Sequence, residues 1–224
     1  MINKHIFTET VCLNSSTTSI QHLCRVDKRI AKVISMIGEI EYNPHIDGYS
    51  FLIHEIIEQM LSVKAGKKIY DRLSVLCNDR ITPEIVVELS DEQLKSCGTS
   101  SAKVEYIKII TQAVLSQDLI ISDLARLSDI EVIKKLTKYR GIGNWTAKMY
   151  LIFVLDRQDI LPYEDGAFLQ TYKWLYKTED VSRNAIEKKC RKWKPYSSIA
   201  ARYMYRALDL GFTKEEFHLY KGGV

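Results

Sequence analysis

KYRGIGNWTAKMY, residues 138–150, decides how this chain is read. Two glycines, Gly141 and Gly143, stand one residue apart between two segments with helical spacing. Before them runs IEVIKKLTKY, residues 130–139. After them Ala147, Tyr150, Leu151 and Val154 recur at i, i+3, i+4 and i+7. The unit is helix, tight glycine hairpin, helix. A dinucleotide loop would need a preceding strand and a third glycine, and this stretch has neither. Glycines in such a turn allow positive φ and let a foreign backbone come close. The N–H groups that open the second helix suit a phosphate, and Lys138, Arg140 and Lys148 add positive charge. An ordinary αα-hairpin turn has the same spacing, so spacing alone leaves both readings open.

Outward from the hairpin the pattern stays helical. Four prolines interrupt the chain, Pro44, Pro83, Pro162 and Pro195, each where a helix should begin or end. Helices are expected over 23–40, over one long segment 51–76, and over 83–89 with Pro83 in the first turn. Ser90 should cap a helix that stops at Gly98. Further helices are expected over 101–115, 123–127, 129–139 with Asp129 as cap, 144–155, 168–176, 182–192 and 195–210. No alternating strand is expected, and residues 1–20 and the tail KGGV are weakly specified.

Composition bounds the function. With 224 residues, 46% hydrophobic and 27% charged, the chain suits one large domain or two intimate lobes. No apolar run is long enough to span a membrane. The start, MINKHIFTETVCLNSS, lacks a signal-peptide core, so an intracellular protein is expected, cytoplasmic (nucleoid-associated) or nuclear. The five cysteines, Cys12, Cys24, Cys77, Cys97 and Cys190, are irregularly spaced and read as reduced thiols. No CxxC pair, zinc spacing or iron–sulfur ligand set occurs, so no metal ligands are assigned. The net charge of +4 is unevenly placed. Residues 132–155 carry five basic residues and no acid, and residues 181–206 carry eight and one acid, Glu187. Either run alone reads as a solvated face; two in one half point to a polyanion.

YRGIGNWTA (139–147) resembles the helix–hairpin–helix of the DNA glycosylase superfamily known as HhH-GPD. The likeness extends to FLIHEIIEQMLSVKAGKKIYDRL (51–73), SCGTSSAKVEYI (96–107), LPYEDGAFLQTYKWLY (161–176) and WKPYSSIAARYMYRAL (193–208). It covers about residues 25 to 210 and is nearest to the 3-methyladenine DNA glycosylase II type. The resemblance implies an all-α, two-lobed fold with a cleft between the lobes. It places an N-terminal segment at 1–24 and a glycosylase domain at 25–224. One lobe would span about 51–135, the other about 25–50 with 136–224.

The resemblance also assigns roles. In lyase-capable relatives the position of Trp145 is a Lys that attacks the sugar; Trp145 has no nucleophile, so a monofunctional enzyme without lyase activity is implied. The substrate would be an alkylated purine of the 3-methyladenine or 7-methylguanine type in double-stranded DNA, flipped out and released to leave an abasic site. Trp145 offers an electron-rich face to such a cationic base, with Tyr205, and more weakly Tyr163 and Tyr49, as pocket residues. Asp165 is the implied catalytic carboxylate, stabilising an oxocarbenium-like sugar and orienting water. Its position before a helix also suits a cap. Arg140, Gly141, Ile142, Gly143, Thr146 and Lys148 would bind DNA. Gln59 would face it, and Met60 or Leu61 would be the wedge, with core packing the competing role for both. Glu58 stands where Gln or Gly is usual. No cofactor is required by this reading, with the hairpin carbonyls as the place for a monovalent cation, and a monomer is expected. A glycosylase for oxidised, deaminated or etheno-purines, and a non-catalytic hairpin DNA-binding protein, are the alternatives.

Overall fold

The computed structural model describes residues 10–220. Expectations for the first nine residues and for the KGGV tail lie outside the described residues. Two compact units divide the chain: Met1–Pro44 with Asp156–Val224, and His45–Leu155. In chain order the first unit contributes β1 (Val11–Leu13), α1 (Thr18–Val26), α2 (Lys28–Ile37) and β2 (Ile40–Tyr42). The second holds α3 (Gly48–Glu58), α4 (Val63–Leu76), α5 (Pro83–Val87), α6 (Asp91–Ser96), α7 (Ser101–Leu115), α8 (Asp129–Leu136) and α9 (Asn144–Phe153). The first unit then resumes with α10 (Gly166–Tyr176), α11 (Arg183–Cys190) and α12 (Ser197–Asp209). Residues 136–155, expected with the C-terminal third, belong with 45–135, because α9 packs on both α8 and α3. Among the described residues no helix is long and apolar enough to cross a membrane.

In the first unit the single helix expected over 23–40 is two helices, broken at Asp27. This residue is extended, only 2% exposed, and caps α2 by accepting from the N–H of Arg29 at 3.0 Å. Its other oxygen, Oδ2, accepts from Trp193 Nε1 at 2.9 Å and from the Tyr176 hydroxyl, and lies 3.0 Å from Lys192 Nζ. Burial by itself would raise the Asp27 pKa, but the donors from Tyr176, Trp193 and Lys192 outweigh it and hold the carboxyl below its ordinary value. After α2, Gly38 takes φ 79° and turns the chain into β2, which pairs antiparallel with β1. The register sets Val11 against Tyr42 and Leu13 against Ile40. This ribbon corrects the expectation of no strand: three residues are too few to show a period of two. The Tyr203 hydroxyl pins it, 3.3 Å from the Leu13 carbonyl and 3.1 Å from that of Gly38. Leu23, Ile30, Val33, Phe168, Tyr172, Leu175, Trp193 and Met204 fill the core beneath.

In the second unit the long helix expected over 51–76 is also two. Asp47 opens α3 by accepting from the N–H groups of Tyr49 and Ser50. The helix ends at Glu58, and Ser62 caps α4 through Ala65 N–H. Gly66 brings α4 close, since a Cβ there would lie 2.7 Å from Glu58 Cγ. Ser90 caps α6 as expected, in a capping box with Gln93. The cap of α8 is Ser128 rather than Asp129, paired with Glu131 in the same reciprocal arrangement.

Candidate active site

The two hairpin glycines do different work. Gly141 sits at φ 96°, and a Cβ there would lie 2.4 Å from the Tyr106 ring, so both conformation and space require glycine. Gly143 has φ −96°, is exposed, and would meet nothing within 4 Å. Its missing side chain leaves open space directly before α9, which has no side-chain cap. The hairpin therefore presents backbone at the positive end of a ten-residue helix.

Around it the expected DNA-facing side chains separate into two groups. Gly143 is exposed, and so is Arg140, whose guanidinium pairs with Glu105 at 2.5 Å and lies 5.7 Å from the Tyr106 ring centre. Asn144, not anticipated from the sequence, is also exposed. Ile142, Thr146 and Lys148 are buried, at 5%, 1% and 8% exposure, which corrects the expectation that their side chains face a duplex. Residues 146–152 of α9 are all buried, so this helix is enclosed on every side beyond its first turn, and the exposed hairpin before it offers mainly backbone.

The α3–α4 turn lies against the hairpin. Gln59 Nε2 donates to the Gly141 carbonyl at 2.7 Å. Lys103, on α7, donates to the carbonyls of Ile57 and Gln59, both at 2.7 Å. Met60 follows at φ 59° with its side chain wholly exposed, and Leu61 is 41% exposed. Neither packs in the core, so the competing role drops away for both. Lys103 carried one sequence signal: a cation in the first turn of a helix opposes the dipole unless it serves another partner.

In the first unit Asp165 opens α10. It is 9% exposed, and Oδ1 accepts from Phe168 N–H at 2.7 Å. Its own N–H donates to the Pro162 carbonyl at 3.0 Å, closing the loop that carries it. The cap expected of Asp165 is present, and capping takes up one oxygen on one side of a carboxylate. Tyr163, two residues earlier, is half-buried, with the Arg183 guanidinium 4.8 Å above its ring. Burial, then the neighbouring Glu164, pushes its hydroxyl pKa up. Tyr205 is half-buried against the core of the same unit.

Trp145 is half-buried in the first turn of α9. Tyr49 is a correction. It is 3% exposed and its hydroxyl meets Thr111 Oγ1 at 2.7 Å, so it is a core residue of the second unit, satisfied from within. Among the described residues Cys12, Glu39 and Glu41 form a group with metal-ligand atoms within 4.8 Å of one another. Cys12 lies on β1, Glu41 on β2 and Glu39 just before β2, all in the first unit.

Three kinds of likeness accompany this geometry. Residues 53–195 match the HhH-GPD superfamily of base excision DNA repair proteins. The chain is similar to DNA-3-methyladenine glycosylase 1 of Schizosaccharomyces pombe, 29% identical over 210 residues that cover 90% of this chain and 92% of that one. It superposes on a crystal structure of a DNA-3-methyladenine glycosidase from Bacillus halodurans with a TM-score of 0.80 and 30% identity, covering 93% of this chain and 97% of that chain. It superposes on S. pombe 3-methyladenine DNA glycosylase in complex with abasic DNA with a TM-score of 0.79 and 27% identity, covering 92% and 100%.

Proposed function

Because the chain belongs to the HhH-GPD superfamily of base excision DNA repair proteins, we propose that it is a monofunctional DNA glycosylase of the 3-methyladenine type, which hydrolyses the N-glycosidic bond of alkylated purines in duplex DNA. The observation that carries the chemistry is Asp165, an N-cap whose Oδ1 is fixed by Phe168 N–H. A helix N-terminus favours the ionised carboxylate, the form that can stabilise a sugar as it turns cationic. An N3- or N7-alkylated purine already carries positive charge. When its bond to the sugar breaks it leaves as a neutral base, and little acid assistance is needed. Water then adds to the sugar carbon and gives up a proton, leaving an abasic site. Asp165 orients that water.

Trp145 stands where a lyase would carry its amine, so the reaction stops at the abasic site. Its ring would hold a cationic base through a cation–π attraction of roughly 0.5–2 kcal/mol. DNA would be gripped by the exposed backbone at Gly143 and by Arg140, with Gln59 facing it. Met60, with Leu61, would fill the gap left by the flipped nucleotide. The same reading has a single chain acting alone, no required cofactor, and the hairpin carbonyls as the donors for a monovalent cation. The carbonyl of Gly141 already accepts Gln59 Nε2 and has a second lone pair to offer.

The test is release of 3-methyladenine and 7-methylguanine from methylated duplex DNA, by wild type and by Asp165→Asn. Asparagine is as good an N-cap as aspartate, so the variant should fold normally and lose at least about a hundredfold in rate. Strand breaks should need alkali. Wild-type release by Asp165→Asn would remove the assigned role, and cutting without alkali would remove the monofunctional reading.

A further inference from the structure

Lys103 is the third residue of α7, in a first turn whose Ser100 cap accepts from its own N–H at 3.3 Å. A cation there is disfavoured by the helix dipole. Its ammonium reaches instead to the other end of a different helix, where α3 leaves its last carbonyls without intrahelical partners. Both Ile57 O and Gln59 O accept from it at 2.7 Å. The next residue, Met60, adopts φ 59°, a conformation that residues with a side chain seldom take, and is wholly exposed. The side chain of Gln59 meanwhile holds the Gly141 carbonyl at 2.7 Å. One ammonium and one amide thus fix a turn that carries an unburied apolar side chain and tie it to the hairpin.

We propose that Lys103 is a positioning residue for nucleotide flipping: clamped on the two carbonyls that end α3, it holds Met60 outward in the conformation that enters the base stack. The inference rests on the glycosylase reading above. A wedge already held in its working conformation loses little freedom when it inserts, so more of the contact energy goes into opening the stack. The ammonium is the fitting group because it can serve two carbonyls at once and accepts nothing in return. A neutral Gln can donate to them only weakly and from a shorter stem, while Arg keeps the charge and the donors.

The experiment compares wild type, Lys103→Gln, Lys103→Arg and Met60→Ala on two substrates, a methylated base pair within a duplex and the same base in an unpaired bulge. Amide hydrogen exchange of residues 59–62 in the protein alone is the second readout. Lys103→Gln should slow methylpurine release from duplex by about tenfold or more and from the bulge by less than about threefold, since the bulge has already met most of the cost of unpairing. Met60→Ala, an exposed change that leaves folding intact, should show the same duplex-selective loss, and Lys103→Arg should recover most of the rate. Exchange at 59–62 should quicken in Lys103→Gln. Equal slowing on both substrates, no rescue by Arg, or unchanged exchange would overturn the proposal. Absence of methylpurine release by wild type would instead overturn the glycosylase reading. The exchange measurement would still decide whether Lys103 holds the turn.

Discussion

Gln59 Nε2 donates to the carbonyl of Gly141 at 2.7 Å, joining two positions 82 residues apart in the chain. The bond ties the end of α3 to the hairpin and is partly buried. Replacing Gln59 by Ala should remove about 0.5–1.5 kcal/mol of stability, seen as a lower urea midpoint. It should also weaken binding to duplex DNA containing an abasic analogue more than that loss alone implies. A variant as stable and as tight as wild type would show the bond to be incidental.

The hairpin glycines should respond oppositely to alanine. Gly141→Ala meets the Tyr106 ring and a positive φ, so it should cost about 2 kcal/mol or more in thermal unfolding. Gly143→Ala has room and an ordinary backbone, so stability should stay within about 0.5 kcal/mol. A methyl group on the face proposed to meet phosphate should nevertheless reduce DNA affinity severalfold. Equal melting temperatures for the two variants would contradict this division.

Stability should fall as pH rises past neutrality. His54 on α3 has Nδ1 3.4 Å from Glu55 Oε1 and Nε2 3.4 Å from Glu58 Oε1, with Tyr70 edge-on and Asp71 and Lys67 lining the same hollow. Its hydrogen bond to Glu55, opposed by burial and helped by the charge of Glu58, raises its pKa above the ordinary 6.5. A raised folded value means the stabilisation is complete below the unfolded value and disappears as pH climbs through the folded one. Glu58, its pKa raised chiefly by burial, works in the same direction from 4.5 upward, because the folded chain keeps that proton longer. Urea midpoints at about pH 6 and about pH 8 should differ accordingly, and His54→Gln should flatten the difference.

Asp27 should be among the most sensitive positions in the first unit. Its carboxylate, 2% exposed, receives Tyr176, Trp193 and Lys192 and caps α2. Asp27→Ala strands these donors and should cost about 3 kcal/mol or more. Since the folded pKa lies below 3.8, the contribution is present above that value and is lost as pH falls through the folded one. Wild type should therefore lose stability on acidification below about pH 4 more steeply than Asp27→Ala, by urea titration.

What the sequence by itself determined was local. The helix–hairpin–helix follows from two glycines between amphipathic runs, and the caps at Ser90 and Asp165 from single polar residues before helices. Gly141 was legible to the same extent, because a tight turn at positive φ calls for glycine, whereas the catalytic role of Asp165 was implied by the family resemblance rather than by its residue type. Tertiary structure decided which way side chains point. It took Tyr49 to Thr111, turned Ile142, Thr146 and Lys148 inward, left Met60 in the open, and brought Lys103 to carbonyls 44 and 46 residues away. It also broke two expected helices, at Asp27 and at Gln59–Ser62, and paired β1 with β2. Propensity and capping act over a few neighbouring residues. Burial and bridging hydrogen bonds depend on which distant segment arrives, and nothing in a short stretch of chain records that arrival.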